Sequence, residues 1–195
     1  SKPYEISSPD INIKSIPYSS ASFGEFRYSL EKGNYKVFPT IKNFEYFTVV
    51  PEEVTFELTD EQNIFNQNFC ISPKGIRKDL EVVFTPIDAA RPGFDAVYKI
   101  VYRNKGNQTL SHQYGINFFF NQNLMELVST SVTPSSSGPG SLSWDYANLR
   151  PFESRAILVT FSINAPTDTN PVNIGDILNY TASILPQAGD ENTVN

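Results

Sequence analysis

One cysteine, one histidine and one methionine are all that the chain holds of those types, and no stretch is densely basic or continuously apolar. A single Cys70 closes no internal disulfide, and between Phe69 and Ile71 it is expected to be a small buried hydrophobe rather than a reactive thiol. His112 leaves any serine or cysteine nucleophile one candidate base, which argues against hydrolase chemistry. A Cys70–His112 pair is disfavoured as well, because the two fall in different predicted modules and neither sits in a catalytic motif. Transition metals lack their ligands, there being no His/Cys cluster of any spacing. The net charge of -6 is spread along the chain without a Lys/Arg cluster, so no nucleic-acid partner is expected. No run approaches the roughly 18 apolar residues of a membrane span. The opening residues show no basic segment followed by an apolar stretch, so the chain reads as mature or as a fragment.

What is abundant points to strands. There are 15 Phe, 10 Tyr, 14 Pro and 10 Gly among 195 residues. Aromatic side chains fit a pleated surface, while proline interrupts helices. With 39% hydrophobic and 18% charged residues the chain carries enough apolar surface to fold. Its length suits one large domain or two modules of about 70 to 120 residues.

Residues 23–38, FGEFRYSLEKGNYKVF, alternate apolar and polar positions around Glu31-Lys32-Gly33-Asn34. That pattern predicts a β-hairpin with Phe26, Tyr28 and Leu30 on one face. Strands are also expected over 46–50, 54–58 and 64–71. Ser72-Pro73-Lys74-Gly75 breaks the pattern and sets a module boundary, giving modules 1–73 and 74–195. In the second, AVYKIVYR over 96–103 places Ala96, Tyr98, Ile100 and Tyr102 in one apolar row. Asn104-Lys105-Gly106-Asn107 follows as a turn of residues that tolerate positive φ. Strands are expected over 79–86, 113–120, 125–130, 142–146, 156–163 and 177–184, with 134–140 as a mobile, low-complexity loop. About seven short strands in some 120 residues are the pattern of a β-sandwich.

These same stretches resemble a known family. FCISPKG (69–75), DLEVVFTPIDAARPGFDAVYKIVYRNKGN (79–107), NLRPFESRAILVTFSINAPTDTNPVNIGDILNYTASI (148–184) and the closing GDENTVN are similar to the immunoglobulin-like repeat domain of large secreted and surface proteins of Bacteroidetes, often placed before a type IX secretion sorting domain. The first block, through GEFRYSLEKGNYKV and its G-x-Y-x-V at Gly33–Val37, resembles the carboxypeptidase-regulatory or transthyretin-like β-sandwich. The resemblance implies an all-β chain of two tandem immunoglobulin-like β-sandwich modules in an extracellular or cell-surface setting. It supplies no catalytic residues.

The remaining candidates are sparse. Glu52-Glu53, Asp60-Glu61 and Asp190-Glu191 read as solvated acids rather than a glycosidase pair. No metal site or cofactor is expected, although calcium, which needs only loop carboxylates and carbonyls, has candidates in Asp10, Asp60, Asp168 and Asp176. Asn107 and Asn179 head N-x-T triplets. A Lys–Asn isopeptide bond is not legible in sequence. Aromatic clusters at Phe44, Tyr46, Phe47 and at Phe118-Phe119-Phe120 are candidate ligand platforms. Three consecutive phenylalanines in a strand cannot share a face, so Phe119 points away from Phe118 and Phe120 and is the candidate for an inter-module or partner contact, with burial under a loop as the alternative. The function expected is that of a non-catalytic structural or adhesive module, a spacer or a weak binder of protein or glycan. Accessory domains of a secreted enzyme, or a cargo segment of type IX secretion, are the competing readings.

Overall fold

The computed structural model describes residues 4–7, 18–20, 25–41 and 43–187. Among them there is no α-helix, and every sheet is antiparallel. Among the described residues no helix is long and apolar enough to cross a membrane. The chain divides into two compact units, Ser1–Gly75 and Ile76–Asn195.

The first unit contains β1 (Tyr4–Ser7), β2 (Tyr18–Ser20), β3 (Glu25–Arg27), β4 (Gly33–Pro39), a 3-10 turn at Phe44–Tyr46, β5 (Phe47–Val50), β6 (Val54–Leu58) and β7 (Cys70–Pro73). β4 lies between β1 and β6, β2 pairs with β3, and β5 pairs with β7. Alternation along β4 buries Tyr35 and Val37. Tyr35 stacks on Phe56 with centroids 5.5 Å apart, Phe56 stacks on Phe65 at 4.1 Å, and the Tyr35 hydroxyl donates to the Glu31 carbonyl at 2.6 Å.

Two expectations fail in this unit. The segment 23–38 does not form a hairpin among the described residues: β3 pairs with β2, while both edges of β4 are taken by β1 and β6. Residues 21–24 lie outside the described set, as do the side chains of β3. The apolar run 64–71 is not a strand either. Only Cys70 and Ile71 at its end join β7, Ile64 is exposed, and Phe65 stacks on Phe56. An aromatic anchor there substitutes for a hydrogen-bonded ladder.

The second unit holds β8 (Leu80–Pro86), β9 (Asp95–Asn104), β10 (Leu110–Phe120), β11 (Met125–Thr130), β12 (Ser136–Gly138), β13 (Ser141–Leu149), β14 (Ser154–Ile163) and β15 (Tyr180–Ile184). They form two four-stranded sheets, ordered β11-β14-β9-β8 and β12-β13-β10-β15. The inner faces meet in one core. Ala96, Tyr98, Ile100 and Tyr102 of β9, with Ile157, Val159, Phe161 and Ile163 of β14, face Ile116 and Phe118 of β10 and Leu142, Trp144 and Tyr146 of β13. Two sheets sealing a shared apolar interior make a sandwich-like arrangement. The apolar row read from 96–103 is therefore the buried row of β9.

Some boundaries moved. Residues 177–179 precede β15, and Ile177 is exposed because the backbone turns there, with Asp176 accepting from the Asn173 N–H at 2.8 Å. The stretch 134–140 contains β12, whose serines pair with β13, so it is partly strand. Low complexity reports composition, whereas an edge strand needs only backbone groups to pair.

At one edge of the core Phe84, Tyr98, Phe118 and Tyr180 cluster with centroids 4.9 to 5.8 Å apart, and the Tyr180 hydroxyl donates to that of Tyr98 at 2.8 Å. Burial, and next the bond to Tyr98, push the Tyr180 hydroxyl far above the ordinary tyrosine value; burial raises Tyr102 as well. In the unfolded chain these groups ionise near pH 10. Raised folded values favour the neutral form, so the stability they confer is full below that pH and falls as pH climbs above it. Denaturant melts at about pH 8 and about pH 11 should show a lower midpoint at the higher pH, and the drop should be smaller in Tyr180→Phe. An equal drop in both proteins would remove Tyr180 as the cause.

Three polar side chains are buried among the described residues, namely Asp79, Asn104 and Asn107. Asn104 Nδ2 donates to the carbonyls of Gln108 (2.6 Å) and Leu149 (2.9 Å), and its Oδ1 accepts from the Gly106 N–H at 3.0 Å. Asn107 Oδ1 accepts from the Arg77 N–H at 2.8 Å, and the Asp79 carbonyl accepts from the N–H groups of Lys105 and Gly106. The motif Asn104–Asn107 thus ties the segments before β8, after β9 and after β13 to one another. The turn is rich in residues that tolerate positive φ, and none from 104 to 107 adopts it. Gly106 is required for room instead, since a Cβ there would lie 2.5 Å from the Arg77 carbonyl oxygen and 2.7 Å from the Asp79 nitrogen.

Candidate binding face

Most of the residues singled out in the sequence do not converge on a site. Cys70 is exposed, contrary to the expectation of a buried hydrophobe, because all four residues of β7 are exposed; its Sγ lies 3.7 Å from Ser72 Oγ. His112 belongs to the other unit, its Nδ1 2.6 Å from the Gln113 carbonyl oxygen. The calcium candidates are spent separately: Asp60 pairs with Lys32 at 2.5 Å, Asp168 accepts from the Ala165 N–H at 2.7 Å, Asp176 closes the turn described above, and Asp10 lies outside the described residues. Among the described residues no three His, Cys, Asp or Glu side chains gather as a metal site would require. Glu53 pairs with Lys36 at 2.8 Å, and Asp190-Glu191 lie outside the described residues. Of the two N-x-T asparagines, Asn107 is buried and Asn179 exposed. In the Phe44 cluster Phe47 is core and Phe44 is exposed.

Phe119 stands apart from these. Phe118 is wholly buried and Phe120 packs on the core, while Phe119 is 49% exposed on the opposite, outer face of β10. Directly opposed residues of antiparallel strands share a face, so the register of the four strands maps that surface. Phe119 is flanked by Ser141 of β13 and Thr181 of β15. In the next row Asn117 lies between Ser143 and Ser183, with Ser136 of β12 beyond Ser143. Ser143 Oγ donates to Asn117 Oδ1 at 2.7 Å, fixing the amide so that its Nδ2 donates to the Tyr114 carbonyl at 3.1 Å.

Tyr114 sits on β10 at a backbone irregularity, its carbonyl accepting from Asn117. The β10–β13 register shifts between His112 and Ile116, a bulge, and Tyr114 takes φ 51°. A left-handed backbone at a bulky residue costs about 1 kcal/mol or more. Here it is held by the Asp145 carboxylate, which accepts from the Tyr114 N–H at 2.7 Å. Gly115 follows because any Cβ there would strike the Tyr146 ring. The result is a second exposed aromatic on the strand that carries Phe119.

The composition of this face is unusual for a solvated sheet. Ser136, Ser141, Ser143, Ser183, Thr181, Asn117, Gln113 and Ser111 are short or uncharged, and Asp145, already engaged, is the charged member. The outer face of the other sheet carries Glu81, Lys99, Arg103 and Glu126 instead, with Arg103 Nε paired to Glu81 Oε2 at 2.5 Å. The sequence reading picked out Phe119 but missed Tyr114, Asn117 and Ser143. The signal available was the run of Ser, Thr and Asn at alternate positions of three strands, which means little until the strand order places them side by side.

No family model, curated protein or solved structure matches the chain.

Proposed function

We propose that the chain is a non-catalytic structural or adhesive region of a larger secreted or cell-surface protein, built as two tandem immunoglobulin-like β-sandwich modules, the first resembling the carboxypeptidase-regulatory or transthyretin-like type and the second the Bacteroidetes repeat. The observation that carries this reading is where the polar side chains are spent. The buried ones, Asp79, Asn104 and Asn107, serve the chain's own loops and neighbouring strands, and among the described residues no three His, Cys, Asp or Glu side chains converge. Such a division, with a core for stability and an outer surface for contact, is what sandwich modules use in recognition.

The test is twofold. A panel of chromogenic esters, glycosides and peptides incubated with the purified chain should give no turnover above buffer; turnover abolished by His112→Ala would overturn the reading. Antibodies raised against the chain should label intact, unpermeabilised cells of the producing organism or find the protein in its medium. Labelling only after permeabilisation would reject the extracellular assignment.

A further inference from the structure

We infer that the outer face of the β12-β13-β10-β15 sheet binds a neutral polysaccharide, with Phe119 and Tyr114 as stacking platforms and Asn117, Ser141, Ser143, Ser183 and Thr181 as hydrogen-bonding partners. This rests on the reading of a non-catalytic binding module and specifies its ligand class. The argument begins from what such a ligand offers. A sugar ring presents an apolar C–H face and a rim of hydroxyls, with no charge. Its complement is an exposed aromatic ring surrounded by short donors and acceptors, and the Phe119 row, Thr181–Phe119–Ser141, has that composition. Short hydroxyls lose little rotamer freedom when they engage a ligand, unlike the lysine and glutamate side chains that usually cover exposed sheets. Aromatic anchors among Ser and Asn are the recurrent make-up of adaptable recognition surfaces.

Three observations go beyond composition. The amide of Asn117 is oriented in advance by Ser143 and by the Tyr114 carbonyl, at 2.7 and 3.1 Å, so its ordering is not left to the ligand. Tyr114 is kept in a left-handed conformation by the Asp145 carboxylate, and its side chain stays 44% exposed rather than buried in the core. The two aromatics are five residues apart on one strand, a separation of up to about 16 Å at roughly 3.3 Å per residue. The bulge at 112–116 shortens that upper bound, and the span still admits more than one sugar unit. The scarcity of charge disfavours acidic polysaccharides and phosphate-bearing ligands, which would call for Arg or Lys. It equally disfavours protein partners recognised by charge pairing.

Affinity electrophoresis of the full chain through gels containing neutral β-glucan, xylan, galactomannan or α-mannan tests this, with alginate and heparin as anionic comparisons. At least one neutral polymer should retard the chain. Phe119→Ala should weaken that retardation tenfold or more, Phe119→Tyr should retain it, and Leu158→Ser on the outer face of the other sheet should leave it unchanged. Ser141→Glu, which places a charge beside Phe119, should weaken it independently of the aromatic, guarding against a folding artefact in any one variant. Retardation by anionic polymers alone, full retardation of Phe119→Ala, or none with any neutral polymer would overturn the inference. Silence in every gel without turnover in the chromogenic panel would leave the spacer reading standing and sink only this ligand class. Turnover in that panel would sink the broader reading.

Discussion

Replacing Trp144 by alanine is expected to destabilise the second unit by about 3–5 kcal/mol, the range for deleting a large aromatic from a core that cannot collapse around the void. Trp144 is 1% exposed on the inner face of β13, and its Nε1 donates to the Val132 carbonyl at 2.8 Å, pinning the segment between β11 and β12. The loss is that of a filled volume more than of a hydrogen bond, because Val132 is itself half-exposed and water can replace the donor. Against the roughly 5–15 kcal/mol that holds a typical domain together, such a change brings the unit close to unfolding at ambient temperature. Denaturant melts of the full chain followed by circular dichroism would show it. As this is the chain's one tryptophan, its fluorescence serves for the parent and must be set aside for the variant. A shift below about 1 kcal/mol would mean that the site is far less tightly packed than its burial indicates.

The second large effect should come from a polar residue. Asn104→Leu keeps the approximate volume but deletes two donated bonds and one accepted bond, and it strips the Leu149 carbonyl of its side-chain donor in a buried setting, while the Gly106 N–H keeps only its longer bond to the Asp79 carbonyl. An unsatisfied buried group costs about 1–3 kcal/mol, so a loss of about 2–3 kcal/mol is expected although the new side chain is more hydrophobic. Amide hydrogen exchange should show where the loss falls, with protection dropping around 104–108 and 149–153 before the centre of β9. Uniform loosening, or a gain in stability, would mean that the asparagine is not the tie between these segments. Replacement of buried polar by apolar groups succeeds when all partners are replaced together; here the partners are backbone and cannot be.

The second unit was largely legible from its sequence and the first was not, for a physical reason. Along 96–103 the alternation is unbroken and the strand is central, so period and burial coincide and Ala96, Tyr98, Ile100 and Tyr102 fall inside as read. The Phe118-Phe119-Phe120 argument succeeded because pleat geometry is local. In the first unit the same alternation over 23–38 pointed to a hairpin, but pairing is decided by which edges are free, and β1 and β6 take both edges of β4. Cys70 looked buried from its apolar neighbours, yet β7 pairs with β5 and keeps its residues exposed. The binding face was legible in one residue of several. Tyr114 depends on a bulge that leaves little trace in sequence beyond the Tyr-Gly pair, and Ser143 and Asn117 become neighbours only through the β10–β13 register.

The hydroxyl-tiled face has a practical corollary for handling the molecule. It contains no lysine, whereas Lys99 and Lys105 lie elsewhere on the same unit. Primary-amine chemistry, whether for tethering to a sensor chip, attaching a dye or cross-linking to a bead, therefore grips the unit by other surfaces and leaves the Phe119 side turned toward the solution.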